Sequence, residues 1–132
     1  GIILKEKGAK RIIPLKVSGA FHSPLMEKAR EEFADVVENI TIFDTEIPVY
    51  TNVTASPVTD ADSIREVMLL QLTSSVRWIE TIEKMVKDGV SKAFELGPGN
   101  VLAGLVKRID STLNVLSVSD ASEIMEIVNE KA

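Results

Sequence analysis

The chain has 132 residues, 45% of them hydrophobic, with a formal net charge of -5 and no cysteine. That length suits one domain, and the modest charge with clear apolar periodicity excludes a disordered chain. Disulfides and thiolate chemistry are excluded, and no apolar run approaches the roughly 18 residues of a membrane span. With no signal peptide in view, the expected setting is cytoplasmic, with no membrane or nucleic-acid partner.

Ile2 to Gly8 reads as the last turns of a helix closed by a glycine cap. A chain that opens on the end of a helix, without an initiator methionine, is expected to be a fragment of something longer. Charge is uneven here: Lys5, Lys7, Lys10, Arg11 and Lys16 stand against Glu6 alone, a local +4 against -9 for the remainder. Two readings stay open, a solvated surface and a docking patch for an acidic partner.

Arg11 to Val17 is expected to be extended, with Pro14 placing it at an edge or in an irregular connector. Ser23 is a good N-cap and Pro24 then falls at the first helical position, where its missing N–H costs nothing. The helix is expected to run to about Asn39, with Leu25, Ala29, Phe33, Val36 and Ile40 on its apolar face. A loop over 43–46 leads to a short strand over 47–51 that ends at Asn52. Ser56-Pro57 starts a turn. Thr59 or Asp60 caps a helix that runs to about Leu72, with Gln71 near its end. The third helix, Val76 to Asp88, packs through Trp78, Ile79, Ile82, Met85 and Val86 and stops at Gly89. Lys92 to Leu96 is a strand, Gly97-Pro98-Gly99 a tight turn, Asn100 to Ile109 a helix and Leu113 to Val118 a strand. Asp120 with Glu123 opens the last helix as a capping box. Strands alternating with helices give the class α/β, with parallel pairing expected.

The only histidine, His22, lies just outside a helix N-terminus on a short glycine-containing corner. Such corners are where α/β folds present reactive groups, and the small residues Gly19, Ala20 and Ser23 leave the ring approachable. On residue chemistry alone it is either a hydrogen-bonded structural residue or a base. Gly97-Pro98-Gly99 before a helix invites a phosphate-loop reading. The third glycine of a dinucleotide motif would fall at Leu102, however, and no Gly-Lys-Ser/Thr follows, so a tight turn is preferred. One histidine, no cysteine and scattered carboxylates make no metal site. No Gly-x-Ser-x-Gly nucleophile elbow occurs.

Gly19-Ala20-Phe21-His22-Ser23 resembles the histidine motif of the malonyl-CoA:acyl carrier protein transacylases. Asn52-Val53, Gln71-Leu72, Val76-Arg77-Trp78 and Glu95-Leu96-Gly97-Pro98-Gly99-Asn100-Val101-Leu102 follow in that family's order and spacing. The resemblance covers essentially the whole chain and only the C-terminal part of such an enzyme. It implies that residues 1–18 end a small ferredoxin-like subdomain. Residues 19–132 would then form the C-terminal part of an α/β-hydrolase-like acyltransferase core.

The resemblance further implies malonyl transfer from coenzyme A to the phosphopantetheine thiol of acyl carrier protein through an acyl-serine, the loading step of fatty-acid biosynthesis. His22 would be the general base and the Gln71 backbone carbonyl would orient it. Phe21 would border the acyl pocket, since malonyl-selective members look like Ala-Phe-His and methylmalonyl-selective relatives carry Ala-Ser-His. Asn52 would support the same pocket. No metal or redox cofactor is implied; malonyl-CoA and the carrier-protein thioester are substrates. The serine, a carboxylate-binding arginine and the oxyanion-hole donors would precede Gly1, so the N-terminal part of the same enzyme is an expected partner and the chain alone is expected to be inactive. If the basic stretch 5–16 is a docking patch rather than solvated surface, its acidic partner would be carrier protein. Two other readings stay open: a non-catalytic α/β interaction module, and the same segment of a polyketide-synthase acyltransferase domain.

Overall fold

The computed structural model describes residues 1–14 and 16–129. Among these the elements run α1 (Ile2–Glu6), a 3-10 turn (Pro24–Met26), α2 (Glu27–Asn39), β1 (Val49–Tyr50), β2 (Pro57–Val58), α3 (Ala61–Leu70), α4 (Trp78–Lys87), β3 (Lys92–Leu96), α5 (Val101–Ile109), β4 (Asn114–Val118) and α6 (Ala121–Asn129). The class is mixed α/β. Among the described residues no helix is long and apolar enough to cross a membrane.

Most element ends follow from local rules. Gly8 takes φ +91, a value that favours glycine, and closes α1. Its N–H donates to the Lys5 carbonyl, and the Ala9 N–H donates to the Leu4 carbonyl, each at 2.9 Å. Asp60 caps α3 by accepting the Ser63 N–H at 2.8 Å. The capping box of α6 forms one residue out of step. Asp120 accepts from Ser122 and Glu123, but the Glu123 carboxylate reaches back to the Ser119 N–H at 2.6 Å rather than to Asp120.

Two expectations need correction, on α2 and on α4. The run over 11–17, expected at an edge or in an irregular connector, forms no strand among the described residues, and Leu15 lies outside them. Two residues of this run carry the reason: Pro14 has no N–H for a ladder, and exposed Ile13 has no sheet to pack on. On α2 the buried position is Val37, while Leu25, Val36 and Ile40 are exposed. Pro24–Met26 winds as a 3-10 turn of three residues, which puts Leu25 out of phase with the α-helix that follows. The inward stripe is Ala29, Phe33 and Val37, four residues apart, with Val37 buried and the other two half-buried. On α4 Ile79 is exposed, while Thr81 and Ile82 face inward.

One of the two strand pairs departs from the expected parallel pairing. Pro57 belongs to β2, not to a turn: β1 and β2 pair antiparallel, Val49 opposite Val58 and Tyr50 opposite Pro57. The turn lies earlier. The Ala55 N–H donates to the Thr51 carbonyl at 3.0 Å and the Thr51 N–H to the Ser56 carbonyl at 3.2 Å, so the chain reverses within five residues. No helix fits in so short a connection, and only an antiparallel pair can form.

β3 and β4 pair in parallel from Lys92–Asn114 to Leu96–Val118, with α5 as the crossover. Alternation along the strands then builds two layers. Ala93 and Val115 face the core, where Ile82 of α4, Val106 of α5 and Leu113 pack with Trp78, Met85 and Ile109. Phe94, Leu96 and Val118 face Ile124 and Ile127 of α6. α2 and α3 pack together, with the Arg65 guanidinium donating to the carbonyls of Val37 and Ile40.

Candidate active site

His22 has left-handed backbone, φ +60, in a chain where only one other non-glycine residue, Ala55, shares that sign among the described residues. Such a conformation costs on the order of 1–2 kcal/mol and persists only where its surroundings enforce it. Here both sides hold it. On the C-terminal side, Ser23 accepts the Leu25 N–H at 3.3 Å and donates to the Ala20 carbonyl at 2.7 Å, which sets the corner before the 3-10 turn.

On the other side stands the end of α3. A helix leaves its last carbonyls without intrahelical partners. Gln71 is the C-cap of α3, and His22 satisfies two carbonyls there. Its backbone N–H donates to Leu72 O at 3.1 Å, and its ring Nδ1 lies 3.0 Å from Gln71 O. A carbonyl can only accept, so this contact pairs with a protonated Nδ1 and leaves Nε2 with a free lone pair. The residue is exposed, so that lone pair is open to a reactant. The side-chain Nε2 of Gln71 also lies 3.3 Å from Nδ1.

Gln71 and Asn52 line one cleft of about 230 Å³, with Tyr50, Ile64, Val67 and Met68 among its walls. The Asn52 loop is tied to the start of α4: Arg77 N–H donates to the Asn52 carbonyl at 2.9 Å, and its guanidinium donates to the Thr54 carbonyl at 3.2 Å. Phe21 is not among the residues of that cleft. It is 59% exposed, and its ring lies over Gly19, where an added Cβ would stand 3.3 Å from it. A side chain at position 19 would need this exposed ring to give by a few tenths of an ångström.

Three contributors were not singled out from the sequence. Leu72 acts here through its main-chain carbonyl, which carries no side-chain signature. Arg77 sat in a recognised motif without an assigned task. Glu95 is the most informative. Its carboxylate accepts the N–H groups of Leu102 and Ala103, each at 2.9 Å, and the Ser117 hydroxyl at 3.2 Å. Those two N–H groups, Ala103's first, hold the carboxyl below the ordinary glutamate value of 4.5. The anion position at the start of α5 is thus filled by the protein's own carboxylate. Gly97, at φ +131, and Gly99, at φ +98, shape the turn that folds back over it. An acidic residue six positions before a helix start was the available signal.

The basic residues of the N-terminal segment are exposed, and Lys5, Lys10 and Arg11 line an open groove with Ile2, Ile12 and Ile13. The ion pairs among the described residues, Glu27–Arg30, Arg77–Glu80 and Lys84–Asp88, do not involve them.

No family model matches the chain. Against curated proteins it is 45% identical over 122 residues to the malonyl CoA-acyl carrier protein transacylase of Bacillus subtilis (strain 168), covering 92% of this chain and 38% of that protein. The transacylase of the same name from Haemophilus influenzae is 47% identical over 120 residues, covering 91% and 38%. The chain is a homologue of part of a malonyl-CoA:acyl carrier protein transacylase. It spans about two fifths of the length of the curated transacylases it matches. Solved transacylase structures agree in fold. An acyl carrier protein S-malonyltransferase from Vibrio cholerae aligns with a TM-score of 0.88 at 40% identity, over 96% of this chain and 41% of that one. A malonyl-transacylase solved in complex with a type II PKS acyl-carrier protein aligns with a TM-score of 0.87 at 39% identity, over 96% and 41%.

Proposed function

We propose that this chain supplies the general base of an enzyme that moves malonyl from coenzyme A to acyl carrier protein. The observation that carries the reading is the ring of His22, an exposed residue whose Nδ1 lies on a main-chain carbonyl. It stands in a chain 38–47% identical to transacylases along nine tenths of its length.

The nucleophile is a serine on the portion of the relatives' length that this chain does not span. Nε2 of His22 takes the serine proton as the oxygen attacks the thioester carbonyl. The C–S bond breaks, the imidazolium returns its proton to the departing coenzyme A thiolate, and malonyl is left on serine. The phosphopantetheine thiol of carrier protein then attacks that ester. It gives its proton to Nε2, which hands it on to the leaving serine oxygen. A carbonyl partner on Nδ1 favours the Nδ1–H tautomer, the task a buried aspartate has in serine hydrolases, without a formal negative charge beside the ring.

The fold reading follows the same line: residues 19–132 complete an α/β-hydrolase-like core, and residues 1–18 end a small ferredoxin-like subdomain. Phe21 borders the acyl site and Asn52 supports it once the serine-bearing portion is in place. The chain by itself has no serine elbow, so it does not turn over.

The test is malonyl transfer from malonyl-CoA to carrier protein. It is measured for residues 1–132 alone and for a polypeptide that joins them to the part of a relative they do not span. Transfer is expected only from the joined protein. Robust turnover by residues 1–132 alone would overturn the assignment of the nucleophile. No turnover by a folded joined protein would overturn the function.

A further inference from the structure

Two atoms of Gln71 reach the same ring nitrogen. Its carbonyl oxygen lies 3.0 Å from Nδ1 of His22, and its side-chain Nε2 lies 3.3 Å from it. The two contacts require opposite states of the ring. The carbonyl accepts, so it pairs with Nδ1 when that nitrogen carries the proton. The amide N–H donates, so it pairs with Nδ1 when that nitrogen is bare. A neutral imidazole has one nitrogen of each kind. With the proton on Nδ1, Nε2 can take a proton from a nucleophile; with the proton on Nε2, it cannot.

We propose that the Gln71 side chain is a tautomer switch for His22. With its amide nitrogen turned to the ring, Gln71 draws His22 into a resting Nε2–H form. With the amide turned away, or with its oxygen to the ring, the ring returns to the backbone carbonyl as the Nδ1–H form that can act as a base. The reading rests on His22 being the base, and Gln71 is a positioning residue that acts through it. The surroundings allow the turn. Gln71 is half-buried at the end of α3 and borders the 230 Å³ cleft, so one side of the amide meets open space rather than packed atoms. The main-chain part of the clamp stays fixed meanwhile, because the bond from His22 N–H to Leu72 O does not involve the ring.

The chain has one histidine, so a spectrum of ¹⁵N-labelled histidine reports a single ring. The measurement is the Nδ1–H to Nε2–H ratio at about pH 9, where an ordinary imidazole is neutral. The parent is expected to show both tautomers. Gln71→Leu removes the donor and Gln71→Glu replaces it with an acceptor; both keep the backbone carbonyl. Each should move the ratio toward Nδ1–H by about two- to tenfold, the worth of one hydrogen bond. Gln71→Lys keeps a donor and no acceptor, and should move it toward Nε2–H. A merely structural role for Gln71 would not shift the ratio in opposite directions. Slow hydrogen exchange of the His22 amide reports in each variant that the clamp is formed. A ratio unchanged across the series, or one that moves the same way in all three variants, overturns the switch. No turnover enters this measurement. If His22→Ala left transfer intact in the joined protein, the base reading would fail while the tautomer result stood.

Discussion

The carbonyl oxygen of Gln71 lies 3.0 Å from Nδ1 of His22, a residue 49 positions earlier in the chain. One end of a helix thereby orients a ring on the corner before another. In the joined enzyme, His22→Ala is expected to lower the rate of acyl-serine formation by roughly 10²–10⁴, the usual worth of a positioned base. Gln71→Ala keeps the carbonyl and should stay within about tenfold of the parent, the most that one ordinary hydrogen bond supplies. Single-turnover acylation with malonyl-CoA measures both. Equal losses would assign the orienting role to the side chain alone.

Phe21 directly precedes His22 and shows 59% of its surface in this chain. A phenyl ring beside the malonyl α-carbon would collide with a branching methyl, whereas serine would leave room. One methyl group is discriminated by roughly 1–3 kcal/mol, so the preference for malonyl over methylmalonyl is expected to be about 10–200-fold. Phe21→Ser should collapse most of it. The readout is the ratio of kcat/KM for the two thioesters. A ratio within a factor of about two of the parent, in a folded variant, would show that Phe21 does not read the acyl group.

Lys10 and Arg11 lie on the open groove of the N-terminal segment. A basic surface steers an acidic partner, and that contribution falls with ionic strength. Reversing both charges to glutamate is expected to raise KM for carrier protein several-fold and leave KM for malonyl-CoA unchanged, with the difference shrinking in high salt. An unchanged KM for carrier protein would make these residues ordinary solvated surface.

Glu95 joins β3 to the start of α5 through the N–H groups of Leu102 and Ala103. Its carboxyl is held below its ordinary value of 4.5 by those donors. A carboxyl whose folded value is depressed contributes stability that is present above the unfolded value and lost as pH falls through the folded one. Thermal melts from neutral pH down to about pH 3 should therefore show a loss of Tm in the parent that is shallower in Glu95→Gln. At neutral pH the variant should already melt lower, because the amide keeps one acceptor oxygen where the carboxylate has two. Parallel curves for the two proteins would remove Glu95 from the acid response.

The sequence by itself determined what adjacent residues decide. The glycine at position 8 ends α1, Asp60 starts α3 and the Gly97-Pro98-Gly99 turn separates β3 from α5, because each is a contest between a few backbone groups and a nearby side chain. Composition and the order of short motifs were enough to point to a family. Tertiary structure decided the rest. Leu25 leaves the apolar face of α2 because it lies in the 3-10 turn before the helix, and Val37 rather than Val36 is buried on the helix that packs against α3. β1 and β2 run antiparallel because the chain reverses within five residues, not because of their side chains. The site depends on two main-chain carbonyls, of Gln71 and Leu72, meeting His22 across 49 residues. Every residue has such a carbonyl, so only the packing that leaves these two unpaired at the end of α3 selects them.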